Sequence, residues 1–198
     1  MQTALPSTSG LAHQPSRSLS DSIPGRIAVA LAATLFIAAC ARISIPLPFT
    51  PVPLSLQNFG VLLVGLTLGP VAGFSALALY LAEAAMGLPV LTPHGPGGLA
   101  QMLGPSGGYL LSYPFVAAVA GWAFRSLRRG SAYARAALAC TLATFVLFAC
   151  GSLWLTQALH AGAPAVWTMA VAPFLPGEVV KIAAAAGLAT SIARLRRA

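Results

Sequence analysis

The chain has 198 residues, of which 58% are hydrophobic and only 7% are charged. An ordinary globular domain carries roughly 25% charged residues, so this composition excludes a soluble fold. Three uncharged runs, 43–82, 84–124 and 136–177, are each about 40 residues long. Since a spanning helix needs about 20 residues, each run can hold two. We therefore expect an all-α integral membrane protein with six transmembrane helices in one domain, residues 23–198.

The net charge of +8 raises the question of nucleic-acid binding, but the placement of the basic residues indicates membrane topology instead. Nine of the 11 basic residues fall in the N-terminal segment, in the loop between the fourth and fifth predicted helices, or in the C-terminal tail. With six helices, these regions share one side of the membrane, as expected of cytoplasmic segments. The nine are Arg17, Arg26, Arg125, Arg128, Arg129, Arg135, Arg194, Arg196 and Arg197. We predict that both termini are cytoplasmic, that the bilayer surrounds the helices, and that no nucleic acid is bound.

Three helices are predicted in the first half of the chain. Residues 1–22 are rich in Ser, Thr, Gln and Pro and are expected to form a disordered cytoplasmic extension. The helices then follow at about Ile27–Arg42, Leu56–Leu68 and Val71–Met86. Four prolines in residues 46–53 separate the first two and favour an extended, stiff segment. At membrane depth, such backbone must be buried in protein or line a cavity.

Polar residues near the outer ends of these helices are candidate site residues. Gln57 and Asn58 stand at the start of the second helix, where they either cap it or reach into a pocket. Glu83 lies close to the outer end of the third helix, and we expect it at the membrane interface. Gln57 is therefore predicted to contact a ligand, and Glu83 ranks below the acidic residue of the last helix.

The second half of the chain supplies three more helices and two outer loops. A long loop rich in proline and glycine covers Leu88–Met102 and is typical of a functional lid. The fourth helix is expected from about Gly104 to Phe124, and the fifth from about Arg135 to His160. An outer loop or short interfacial helix then covers Gly162–Pro176, from which the sixth helix returns inward.

The fourth helix begins with two adjacent glycines and a tyrosine. Gly107 and Gly108 expose backbone amides at a helix N-terminus, where a ligand can approach without a Cβ atom in the way. Tyr109 adds a flat ring with a polar tip. We predict that all three contact a ligand, while Ser106 caps the helix.

The sixth helix carries two charges into the membrane. Glu178 and Lys181 are three residues apart and so lie on one helical face. A charge deep in a bilayer costs roughly 2.5–3.5 kcal/mol, so such residues usually face a cavity and a partner. Lys181 is the only lysine in the chain, and its compact ammonium suits a ligand carboxylate. The alternative is that the two residues only neutralise each other.

The proline-rich segment, the glycine-rich loop, the Gly107–Tyr109 helix start and the Glu178–Lys181 pair all fall at the same end of the predicted bundle. This convergence predicts a pocket that is open to the outside.

Cys40, Cys140 and Cys150 are dispersed without metal-ligand spacing, and we interpret them as small buried hydrophobes. The chain has no P-loop, so we do not expect it to hydrolyse ATP. We also expect neither a bound metal nor a cofactor.

Three motifs, taken together and in this order, resemble the BioY family, the biotin-binding S components of energy-coupling factor (ECF) transporters. They are Pro51-Val-Pro-Leu-Ser-Leu-Gln57, Gly104-Pro-Ser-Gly-Gly-Tyr-Leu110 and Pro173-Phe-Leu-Pro-Gly-Glu-Val-Val-Lys181. The resemblance covers about residues 26–193. It implies an S-component-like bundle in the bacterial cytoplasmic membrane that captures biotin from outside. It also implies delivery inward with a transmembrane coupling protein and two ATPase subunits.

The resemblance also assigns roles to individual residues. In the family, the acidic residue and the lysine of the sixth-helix motif belong to the substrate site, and they map onto Glu178 and Lys181. The family usually has aspartate at the position of Glu178, so this carboxylate reaches one methylene further. Small residues of the first helix dock the coupling protein in S components, which implies this role for Ala28 and Ala32.

Two other classes of function stay open at this point. Residues 104–107 have the G-x-S-G form that rhomboid intramembrane proteases place at the start of a helix, but such chemistry needs a base within reach of Ser106. The three histidines, His13, His94 and His160, lie in the tail, in a loop and at the outer end of the fifth helix. A self-sufficient carrier of another small carboxylate is the second alternative, although no repeat of broken helices is evident.

Overall fold

The computed structural model describes residues 22–195. Nearly all of the predicted N-terminal extension, together with His13, Arg17, Arg196 and Arg197, lies outside the described residues.

Helices dominate the described chain. Six of them have at least 12 residues and occupy the predicted places: α1 Ile23–Arg42, α2 Gln57–Leu68, α3 Pro70–Ala85, α5 Gly107–Ser126, α6 Ala132–Leu159 and α8 Leu175–Leu195. Two short helices, α4 Gly98–Met102 and α7 Ala163–Val166, lie in the predicted outer loops. A π-helical turn, Trp167–Val171, follows α7 directly. Within residues 22–195 the structure thus has eight α-helices instead of the six expected.

Four of these helices, α1, α5, α6 and α8, are long and apolar enough to cross a membrane. Helices α2 and α3 are also apolar, but they have only 12 and 16 residues. Large apolar side chains such as Leu35, Phe115 and Phe145 are exposed on the long helices, as expected where lipid replaces water as the surrounding medium. A multi-pass membrane protein is therefore shown, while the count of six spans stays a prediction.

The proline-rich segment is closed by a pair of very short strands. β1, Ser44–Ile45, pairs antiparallel with β2, Leu54–Ser55, with Ser44 opposite Ser55. The intervening prolines cannot donate to a sheet, so the pairing stops after two residues on each side. The segment between the strands is held as a loop beside the start of α2.

Helix α5 lies at the centre of the bundle and packs against α2, α3 and α6. Glycines allow the close approach. A Cβ atom on Gly65 of α2 would come within 2.4 Å of the Ala117 carbonyl oxygen, and one on Gly121 of α5 would come within 2.6 Å of the Gly65 carbonyl oxygen. Small residues at helix contacts are the usual means of packing in membranes. Helix α8 packs against α2 and α6, which turns the first part of α8 toward the start of α2.

The structure shows the surroundings of Glu83 and corrects the expectation for Ser106. Glu83 is buried on α3, where it accepts a hydrogen bond from the Thr34 hydroxyl of α1, and its depth relative to the membrane interface stays a prediction. The α1 helix packs over this part of α3 and shields the carboxylate. Ser106 is the N-cap residue of α5, but its side chain makes no capping hydrogen bond. Its ψ of 0° lies outside the extended region that side-chain capping requires.

Candidate ligand-binding site

An ion pair lies in the first two turns of α8. Lys181 Nζ donates to Glu178 Oε1 at 2.6 Å, and both side chains are buried. The spacing of three residues places them on one face of the helix, as the sequence predicts. Their charges therefore cancel at a position where either charge alone would be costly.

A third polar residue completes this arrangement. Asn58 is the second residue of α2, and its Nδ2 donates a hydrogen bond to Glu178 Oε2 at 2.5 Å. Its side chain is only 4% exposed, and its Oδ1 has no hydrogen-bond partner within the described residues. We refer to Asn58, Glu178 and Lys181 as the polar cluster. Both carboxylate oxygens of Glu178 are thus occupied, one by each neighbour.

The polar cluster forms one side of a small cavity of about 50 Å³. The other walls are mainly apolar and come from the proline-rich loop, α5, α6 and the segment before α8. The lining residues are Val52, Pro53, Ser55, Asn58, Tyr109, Tyr113, Leu147, Phe148, Phe174, Glu178 and Lys181. A few placed polar groups in an apolar surround are typical of a small-molecule site, although such sites usually measure about 300–1,000 Å³.

Tyr109 is one of the aromatic walls. Its hydroxyl donates to the Ala170 carbonyl oxygen of the π-helical turn at 2.6 Å. Its ring packs against Gly151 of α6 so closely that a Cβ atom there would come within 2.2 Å of the ring. The hydroxyl is therefore committed to the backbone, and the ring is what Tyr109 presents to the cavity.

The structure gives Gly107 and Gly108 a different role from the predicted ligand contact. A Cβ atom on Gly107 would come within 2.2 Å of the Met102 carbonyl oxygen, and one on Gly108 within 2.3 Å of Trp154 Cβ. Trp154 also donates from Nε1 to the Gly104 carbonyl oxygen at 2.9 Å. The glycines allow α5 to pack against α6, and neither lines the small cavity. Their contact with a ligand stays a prediction.

Gln57 lies outside the cavity lining. Its Nε2 donates to the Tyr80 hydroxyl at 2.6 Å, and that hydroxyl donates to the Val90 carbonyl oxygen at 2.7 Å. Successive residues of a helix point about 100° apart. Gln57 therefore faces α3 while Asn58 faces α8. The sequence named the two together, but only packing shows which one meets Glu178.

A larger cavity of about 610 Å³ lies between α6 and α8. Its walls are nearly all apolar and include Phe145, Trp167, Val171 and Ile182. Glu178 and Phe148 border both cavities. These two side chains therefore form part of the partition between the small cavity beside the polar cluster and the larger apolar one.

The serine-protease alternative finds no support in the geometry. In the described part of the chain, His94 contacts the Ser44 carbonyl oxygen at 3.2 Å, and His160 is the exposed C-cap residue of α6. Neither is hydrogen-bonded to Ser106. A hydroxyl without a hydrogen-bonded base is not activated for attack.

Comparison with known proteins identifies the chain's relatives. The sequence profile described as "BioY family" matches residues 13–198. The "Biotin transporter BioY" of Rhodobacter capsulatus is 37% identical over 177 residues, which cover 85% of this chain and 92% of the relative. The "Probable biotin transporter BioY" of Pyrococcus horikoshii is 36% identical over 135 residues, which cover 68% of this chain and 76% of the relative.

A solved structure has the same fold. It is a crystal structure of the S-component for biotin from an ECF-type ABC transporter. It superposes with a TM-score of 0.78 at 29% sequence identity, covering 87% of this chain and 91% of the solved one.

Proposed function

The chain belongs to the BioY family, and on that premise we propose that it is the substrate-capture subunit of a biotin uptake system and binds biotin in the small cavity beside the polar cluster. The observation that carries this proposal is the burial of Asn58, Glu178 and Lys181 around one cavity with aromatic walls. Biotin offers a carboxylate, a ureido ring and an apolar bicycle, which such a site complements.

The direct test is binding of labelled biotin to the purified full-length protein in detergent or nanodiscs. We expect saturable binding that excess unlabelled biotin displaces, and strong loss of binding in Lys181→Met. Replacement of exposed Ala183 of α8 by leucine serves as the matched control and should leave binding intact. The absence of displaceable binding by the parent protein would contradict the proposal.

Within the same proposal, the chain delivers biotin inward with a transmembrane coupling subunit and two ATPase subunits. Ala28 and Ala32 lie exposed on α1, one helical turn apart, and provide a narrow surface where another helix can approach closely. Ala28→Leu with Ala32→Leu should prevent co-purification of the coupling and ATPase subunits while biotin binding is retained. Biotin uptake by cells that lack those subunits would instead favour a self-sufficient carrier.

The orientation in the membrane completes the proposal. We place both termini and the loop between α5 and α6 on the cytoplasmic side, because arginines concentrate there. The cavity then opens outward, the bacterial cytoplasmic membrane surrounds the domain of residues 23–198, and the first 22 residues form a cytoplasmic extension. Reporter fusions after Arg129 and after Ala198 should both indicate the cytoplasm. A periplasmic signal from either would overturn this orientation.

A further inference from the structure

We propose that the loop between α5 and α6, residues 127–131, together with the helix ends beside it, binds the phosphate of an anionic phospholipid such as phosphatidylglycerol. Four arginines lie in or next to this loop and are called the arginine cluster here: Arg125, Arg128, Arg129 and Arg135. The site is separate from the cavity beside the polar cluster, and the inference does not depend on biotin binding.

Two of the four arginines hold helix ends in place. Arg125 donates from Nη2 to the carbonyl oxygen of Leu68, the last residue of α2, at 3.2 Å. Arg135 donates from Nη2 to the Phe124 carbonyl oxygen of α5 at 3.2 Å, and its guanidinium lies over the Phe124 ring, 5.1 Å from the centroid. An arginine has five N–H donors, so each residue keeps others unused. One of them, Arg135 Nε, is buried without a partner in the described part of the chain.

The other two arginines, Arg128 and Arg129, are exposed. Neither makes a side-chain hydrogen bond or an ion pair with any of residues 22–195. Both guanidinium groups are therefore free to bind an anion, and a phosphate oxygen is the acceptor that their planar, forked donors fit well.

The acidic residues of the chain do not neutralise this charge. Asp21 lies outside the described residues, and the other two acidic residues are far from the loop. Arg125 contacts the turn between α2 and α3, whereas Glu83 lies near the opposite end of the 16-residue helix α3, which is roughly 24 Å long. Glu178 contacts the opposite end of the 12-residue helix α2, which is roughly 18 Å long. The arginine cluster thus carries a positive charge that its own surroundings leave uncompensated.

The N-terminus of α6 adds to the positive potential at the loop. Ser131 caps this helix, because its Oγ accepts a hydrogen bond from the Ala134 amide at 3.1 Å. The N–H groups of Ala132 and Tyr133 precede Ala134 and have no partner within the helix. They point toward the loop, where they favour an anion in the same place as the guanidinium groups do.

The surroundings of the arginine cluster indicate that the phosphate belongs to a lipid. Trp122 of α5 and Tyr133 of α6 flank the loop and are 61% and 46% exposed, and such rings are enriched at the headgroup level of a bilayer. Leu138 and Leu142 continue the exposed surface of α6 away from the loop. One phospholipid can therefore place its phosphate at the arginines and its acyl chains along α6.

The same two surfaces favour an anionic phospholipid over other phosphates. Inorganic phosphate lacks the acyl chains that the apolar side of α6 would contact. A zwitterionic phospholipid brings an ammonium group toward the arginines, which repel it. Anionic headgroups match clusters of basic residues at the membrane surface.

The test measures thermal unfolding of the purified full-length protein in an uncharged detergent while phosphatidylglycerol is added. We expect saturable stabilisation at lipid-to-detergent ratios at which phosphatidylcholine has no effect. Arg128→Gln with Arg129→Gln, the loop variant, should raise the half-saturating ratio about 10- to 30-fold, since each basic residue near the surface contributes about fivefold. Because neither arginine contacts another side chain, the loop variant should unfold at the temperature of the parent when no lipid is present. High salt should reduce the stabilisation by phosphatidylglycerol.

Arg26→Gln with Arg194→Gln is the matched control. These arginines are also exposed, and they lie near the start of α1 and the end of α8, on the side of the membrane predicted for the arginine cluster. The control variant loses the same charge as the loop variant, but outside the loop. Its half-saturating ratio should stay within about threefold of the parent value.

Four outcomes would overturn the proposal. The first is that phosphatidylcholine stabilises the parent as well as phosphatidylglycerol does, and the second is that the loop variant responds like the parent. The third is an equal loss in the control variant, which would show that net charge alone attracts the lipid. The fourth is that inorganic phosphate at the same bulk concentration replaces phosphatidylglycerol fully, which would assign the arginine cluster to a soluble anion.

Discussion

Two carboxylates are buried among apolar helices in the described part of the chain, and their surroundings differ. Glu178 on α8 has an ammonium on one oxygen and an amide on the other, beside a cavity. Glu83 on α3 has only the Thr34 hydroxyl, at 3.1 Å, and no described cation within salt-bridge distance. Glu83 also lines none of the cavities described above.

This contrast distinguishes a candidate site residue from a structural one. A buried acidic residue is by itself a candidate for function. At Glu178, a fully occupied carboxylate leaves free hydrogen-bonding capacity on its partners, Lys181 and Asn58, next to a cavity. At Glu83, the hydrogen bond joins α1 to α3 and leaves nothing directed at a cavity. The partners of the carboxylate, and not its burial, distinguish the two positions.

The largest effect should follow from breaking the ion pair at Glu178. Lys181→Met leaves Glu178 as a buried charge without its counter-charge, which should lower the free energy of unfolding by about 3–5 kcal/mol. The double variant Glu178→Leu with Lys181→Met should recover most of that stability but not biotin binding. Thermal unfolding in detergent, with and without biotin, measures both quantities. Tight binding retained in the double variant would exclude these residues from the site.

Replacing each carboxylate by an amide should have a much smaller effect at Glu83 than at Glu178. Glu178→Gln leaves Lys181 without its counter-charge and should cost several kcal/mol of stability. Glu83→Gln keeps an acceptor for Thr34 and should cost no more than about 1 kcal/mol. Paired denaturation measurements on the two variants test this directly. Equal losses would show that the contrast between the two sites is wrong.

The aromatic wall of the small cavity beside the polar cluster provides a third test. Gly151→Ala forces a methyl group into the Tyr109 ring, and overpacking of this kind costs about 1–3 kcal/mol. Biotin binding should weaken with it, since the ring lines the cavity. Gly187 of α8 has open space at its Cβ position, so Gly187→Ala is the matched control and should gain up to about 1 kcal/mol. Unchanged biotin affinity in Gly151→Ala would remove Tyr109 from the site.

The smallest effect is expected at Ser106. Because the side chain makes no capping bond, Ser106→Ala should change stability by less than about 0.5 kcal/mol and leave biotin affinity unchanged. Calorimetry and biotin titration check this. Loss of a proteolytic activity present in the parent protein would instead favour the enzyme alternative.

Local spacing made part of the site predictable. The contact between Glu178 and Lys181 follows from a separation of three residues on a helix. The contact between Asn58 and Glu178 joins residues 120 positions apart and depends on how α8 packs against α2. No periodicity in either segment encodes that packing, so the sequence could not separate Asn58 from Gln57.

In the fold, too, features set by local sequence were predictable and features set by packing were not. Apolar runs and prolines placed the six longer helices to within about four residues: α1 begins four residues before the predicted Ile27, and α5 begins three residues after the predicted Gly104. The Gly107–Gly108 pair was interpreted from its position at a helix start, whereas its neighbour Trp154 comes from α6. The short helix α7 and its π-helical turn carry no distinctive local pattern. Their position depends on contacts such as that between Tyr109 and Ala170.

The narrowness of the cavity has a kinetic consequence. Under the proposed function, a resting cavity of about 50 Å³, far smaller than an ordinary ligand site, must open before biotin enters, and only the open fraction is competent to bind. The apparent dissociation constant then exceeds the intrinsic one by the inverse of that fraction. Association is correspondingly slower than encounter by diffusion, and the same barrier retains the ligand once the walls have closed around it.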